Sequence, residues 1–159
     1  MSIDLIVALA DVVAGIAVIA SLIFVGIEVR RNTNQAKLQN WASLIDRFLA
    51  IYSETEDLEL AGVIAKGRSD YDALTDAEKV AYGNFLYQIV VAAEGILNLS
   101  GTAVHGRDEH ERQFDINIRY HIGCPGGLAW WSECQSTRPL PMALTKRIEQ
   151  VLGNPNERL

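Results

Sequence analysis

The chain has 159 residues, with 14 Lys and Arg against 20 Asp and Glu and a formal net charge of -6. That balance provides no basic field to draw in a polyanion, so nucleic acid is not an expected partner. Cys124 and Cys134 are the two cysteines, too few for a disulfide framework. Hydrophobic residues make up 49 % of the chain, and most of the excess falls in the first 27 positions, which points to a membrane.

Residues 5–27 carry one charged side chain, Asp11, and fourteen Leu, Ile, Val or Phe. At ~1.5 Å per residue the stretch reaches ~35 Å, enough to cross a ~30 Å hydrocarbon core. On the insertion scale those apolar residues, at roughly -0.3 to -0.6 kcal/mol each, outweigh one carboxylate costing at most ~3.5. The segment lacks the basic start and small-residue cleavage site of a secretory signal and runs into Arg30 and Arg31, so it reads as a retained anchor. Arg30, Arg31 and Lys37 follow it while Asp4 and Asp11 precede or interrupt it. The positive-inside rule then sets the N-terminus outside and the rest in the cytoplasm.

Ala10, Ala14, Ala17 and Ser21 recur at spacings of four, three and four, a stripe of small side chains that allows close approach of another helix. Asp11 has two readings: an intramembrane acid lining a polar cavity or meeting a neighbouring subunit, or a carboxylate at the outer headgroups that caps the helix.

No glycine or proline intervenes between Ile27 and Gly62, so the anchor is expected to continue into an amphipathic segment. There Leu38, Trp41, Leu44, Ile45, Phe48, Ile51 and Tyr52 share one side at helical period. A short helix is expected over 57–66, stopped by Gly67 and followed by a polar loop over 68–72. Thr75 and Glu78 form a capping-box signature ahead of a central helix ending near Asn98. That helix holds Glu94 on a polar edge with Asn84, and its glycines and polar residues argue against a second span. Residues 114–122 alternate apolar and polar, a strand signal, but a lone strand would have no ladder partner, so helix is preferred. Cys124, Pro125, Gly126 and Gly127 read as a turn opening a helix with Trp130 and Trp131. A last amphipathic helix is expected over 142–152, before a tail over 154–159. The expected fold is all-α: one transmembrane helix within 1–29, then a cytoplasmic bundle of about five helices over 30–153.

An apolar start interrupted by an acid and passing into Glu28, Val29, Arg30, Arg31, Asn32, Thr33, together with the late Pro125, Gly126, Gly127 and Trp130, Trp131 element, resembles a widespread family of small bacterial membrane-anchored helical proteins. The resemblance implies an anchor and a helical domain, and no reaction or cofactor. Glu28 stands where that pattern leads one to expect glutamine.

No metal-site spacing joins His105, His110, His121, Cys124 and Cys134, and no phosphate loop or nucleophile elbow is present, so no cofactor is expected. The leading expectation is a non-enzymatic interaction protein of the bacterial inner membrane, in contact with the bilayer and with copies of itself or a larger complex. Trp41, Trp130 and Trp131 are the candidate core or subunit-contact aromatics. Two alternatives stand beside it: a homo-oligomeric pore with carboxylate rings at Asp11 and Glu28, and a helical-bundle ribonuclease using Arg119 and His121.

Overall fold

A computed structural model describes residues 3–99 and 107–153. They form six helices and, among the described residues, no strand: α1 (Ile3–Glu54), α2 (Leu58–Ser69), α3 (Asp76–Leu99), α4 (Arg107–Ile122), α5 (Pro125–Thr137) and α6 (Met142–Gly153). The chain divides into two compact units after Gln39, a point that lies within α1. The tail over 154–159 and His105 lie outside the described residues.

The first unit is the apolar part of α1. The second is a bundle whose central helix is α3, with Tyr82, Phe85, Leu86, Ile89, Val90, Ala93 and Ile96 buried along one broad face. α3 has the length and hydropathy of a membrane helix, but 44 % of its most apolar 18-residue stretch is buried against its neighbours. A helix that is apolar nearly all round is what the middle of a bundle requires. Glu94 is half-buried between the exposed Asn84 and Asn98 at its edge.

The local signals act through identifiable bonds. Asp57 caps α2, its carboxylate accepting from the backbone of Glu59 at 2.7 Å. At the start of α3 the capping box closes in both directions: the Glu78 amide donates to Thr75 Oγ1 at 3.3 Å, and the Thr75 amide donates to Glu78 Oε2 at 2.7 Å. The Thr75 amide first, then the ammonium of Lys66 at 2.9 Å, lowers the Glu78 carboxyl to about 2. Residues 114–122 are helical; His110, Phe114, Ile118 and Ile122 form the buried row of α4, spaced by four. Ile116 is half-buried and Tyr120 exposed, so the alternation mixed core residues with edge residues. Arg147 of α6 ties to Asp115 of α4 at 2.7 Å.

Two glycine readings need correction. Gly67 does not end its helix, and Gly126 and Gly127 are not a turn: all three lie within helices and are buried. Pro125 occupies the first helical turn, where its missing N–H is harmless, and Cys124 is the N-cap residue. Gly126 then sits against the backbone of Gly67, where a Cβ would overlap the Gly67 carbonyl oxygen. A Cβ on Gly127 would lie 2.6 Å from the carbonyl oxygen of His121. The glycines let α5 approach α2 and the end of α4 backbone to backbone, which no larger residue allows.

Gly126→Ala is therefore expected to destabilise the protein by about 3 kcal/mol, since neither backbone can yield. Gly62→Ala, in open space on α2, is expected to be neutral or to stabilise by up to about 1 kcal/mol. Urea unfolding in mild detergent, followed by circular dichroism, checks both.

Candidate functional site

The N-terminal part of α1 is the most unusual surface in the molecule. Every residue with a described side chain from Leu9 to Ala36 is exposed, and none of the apolar window of α1 is buried. Leu22, Ile23 and Phe24 are 60–67 % exposed, as bare as residues of an isolated helix. Ala10, Ala14, Ala17 and Ser21 lie open, and the Ser21 hydroxyl donates to the Ala17 carbonyl at 2.8 Å, so the stripe presents no free donor. Asp11, Arg30 and Arg31 are exposed, and Lys37 is half-buried.

Asp11 and Glu28 do not share a face. At about 100° per residue the 17 positions between them leave the two carboxylates about 100° apart around a straight helix.

Past the unit boundary α1 turns its other side to the bundle. Ile51 and Leu44 are buried, and a Cβ on Gly95 of α3 would stand 2.8 Å from Leu44. Trp41 meets His110 edge to face with ring centres 5.4 Å apart. Trp130 and Trp131 are both buried core residues, 6.3 Å apart. Trp41, with Phe48, His110 and Asn117, lines an apolar groove of about 360 Å³.

A second groove, of about 440 Å³, is lined by Tyr71, Lys79, Asn84, Trp130, Glu133 and Arg138 among others. Its cations are engaged. Lys79 lies over the Tyr71 ring at 4.9 Å and 3.7 Å from Asp72. Arg138 lies over Tyr87 at 4.8 Å and donates to Asn84 at 3.3 Å. Burial, then the hydrogen bond to Glu133, pushes the Tyr71 phenol up to about 12.

The sequence did not announce the pairing that His121 makes. Its Nε2 shares a hydrogen bond with the Tyr52 hydroxyl at 3.2 Å, across 69 positions. The rings of Phe85 and Tyr120 stand edge-on to it at 5.7 and 4.8 Å, and its Nδ1 is buried without a hydrogen-bond partner. Burial first, then nearby Arg68, lowers the imidazole from 6.5 to about 4. Of the Arg119 and His121 pair, His121 is buried and Arg119 half-buried. The Cys124 thiol donates to the His121 carbonyl at 3.3 Å. Cys134, buried in α5 with its thiol pushed up by burial, is ten positions and ~15 Å of helix from Cys124. No three His, Cys, Asp or Glu side chains among the described residues gather as a metal site.

No protein-family model, curated protein or solved structure matches the chain.

The His121 environment gives a pH test. The unfolded chain takes up a proton below about 6.5 that the folded one refuses until about 4. Stability is thus full above 6.5 and is lost as pH falls towards 4, by about 2 to 3 kcal/mol. In thermal melts of the full-length protein in detergent, His121→Gln is expected to flatten the slope between pH 6.5 and 4.5. The loss tied to Glu78 falls lower, between about 4.5 and 2.

Proposed function

We propose that the protein is a membrane-anchored interaction protein of the bacterial inner membrane. The apolar part of α1 crosses the bilayer once with its N-terminus outside, the bundle lies in the cytoplasm, and the chain assembles with copies of itself or with a larger membrane complex. Membership of the bacterial family it resembles is part of this reading.

One observation carries it: a stretch of α1 that is apolar on every side and covered on none. Eleven large apolar side chains between Leu9 and Ile27 stand exposed. At ~2 kcal/mol for each one buried, their removal from water amounts to roughly 20 kcal/mol. A gain of that size supports a bilayer or another apolar partner as their surroundings. Arg30 and Arg31 directly after the apolar run support the inward placement of the bundle.

The full-length protein is expected to stay in the membrane pellet through alkaline extraction. Ile16→Arg combined with Ile19→Arg, which adds roughly 5–7 kcal/mol to insertion, should release it. A green fluorescent protein fused after Leu159 should fluoresce, while alkaline phosphatase fused there should be inactive. Release of the parent by alkali removes the anchor, and the opposite reporter pattern reverses its direction.

A further inference from the structure

On α3, Lys79, Gly83 and Tyr87 follow one another at steps of four and share a line along the helix. Gly83 leaves a gap in that line. On α5, Trp130 and Glu133 are three positions apart and lie on one face. Lys79 and Gly83 from α3 and Trp130, Glu133 and Arg138 from α5 line the groove of about 440 Å³. That volume falls among those of small-molecule sites, ~300–1,000 Å³.

The gap at Gly83 uncovers one particular atom. A Cβ there would stand 3.0 Å from Nε1 of Trp130 and 3.3 Å from its Cδ1. The missing side chain therefore leaves the N–H edge of the indole open to the groove, although Trp130 as a whole is only 6 % exposed. An indole nitrogen is a donor and never an acceptor. No acceptor among the described residues takes its hydrogen, and Trp130 has no further bond. An unpaired donor on a nearly buried side chain costs about 1–3 kcal/mol, so the acceptor has to come from the groove.

The charges around that donor are also incompletely matched. Lys79 has Asp72 at 3.7 Å. The Arg138 guanidinium meets only neutral groups among the described residues, the Tyr87 ring at 4.8 Å and the Asn84 amide oxygen at 3.3 Å. Glu133 is engaged by the Tyr71 hydroxyl, with no cation within ion-pair distance among the described residues. Asp76, a second acid of the same groove, is exposed. One unmatched cation and two unmatched carboxylates thus surround one orphan donor.

We propose that this groove between α3 and α5 binds a small zwitterion of the amino-acid type, its carboxylate accepting from the Trp130 N–H and pairing with Arg138, its ammonium meeting Glu133. A simple carboxylic acid would face Glu133 and Asp76 with nothing to offer them. A simple amine would leave the indole donor and Arg138 unanswered. Val80, 63 % exposed at the same groove, gives an apolar side chain of the ligand a surface to cover. The inference goes beyond the interaction reading above and does not rest on the position of α1.

Nuclear magnetic resonance of the full-length protein in detergent, isotope-labelled at the indole nitrogens of its tryptophans, tests this by titration with each of the common amino acids. At least one should move the Trp130 signal saturably while the Trp41 signal stays in place. Trp130→Phe assigns that signal by removing it; should that variant not fold, Gly83→Ala assigns it by shifting it, since its Cβ lies against Nε1. The methyl ester of the active amino acid, which lacks the negative charge, and its N-acetyl form, which lacks the positive one, should each bind roughly tenfold more weakly or worse. Glu133→Gln and Arg138→Gln, both at exposed positions, should weaken the parent amino acid to a similar extent with unchanged circular dichroism. No movement of the Trp130 signal with any amino acid at millimolar concentration overturns the site. Equal binding of the ester and the N-acetyl form, or no effect of the two glutamine variants, overturns the zwitterion.

Discussion

The structure depends on an imbalance: one helix carries far more apolar surface than its own chain covers. In α3 a similar composition is matched by neighbours, and its apolar residues become the core of the bundle. In the first part of α1 none of the described residues matches it, and the side chains from Leu9 to Ile27 are exposed. Two helices of comparable hydropathy therefore have opposite consequences. One organises a fold, and the other requires surroundings that the chain does not supply.

The bundle in turn depends on α1. Ile51 belongs to the same buried cluster as Tyr82, Ile89 and Phe114, and Phe48 packs on its edge. Tyr52 closes over His121, and Leu44 over Gly95. Removal of the segment that follows the apolar run would strip a wall from the core. α1 runs unbroken from Ile3 to Glu54 and so contributes residues to both units. The contact of α2 with α5 supplies the other constraint, because the glycine backbones at 67 and 126 meet directly and set how closely these helices approach.

Much of this was legible in the residues, and what was missed shares a physical cause. The capping box at Thr75 and Glu78 is local chemistry, visible at three positions' distance, and it closes in both directions as read. The continuity of α1 followed from the lack of glycine and proline between Ile27 and Gly62. Glycine, however, has two uses, a free backbone for a stop or a missing side chain for a contact, and sequence alone does not distinguish them. Gly67, Gly126 and Gly127 were read as punctuation and serve as contacts. Trp130 and Trp131 were open between core and interface, and their burial places them in the core. The Tyr52 and His121 pair left no signal, because its members are 69 positions apart and nothing local selects them.

The central claim is that the uncovered stretch of α1 lies in a bilayer. Spin labels placed singly along residues 10–36 of the protein in lipid vesicles, relaxed competitively by oxygen and by a water-soluble nickel chelate, test it most directly. The account predicts oxygen-dominated relaxation through 12–25 and a crossover to the nickel chelate as the helix passes Arg30 and Arg31. Nickel access along the whole stretch would contradict it.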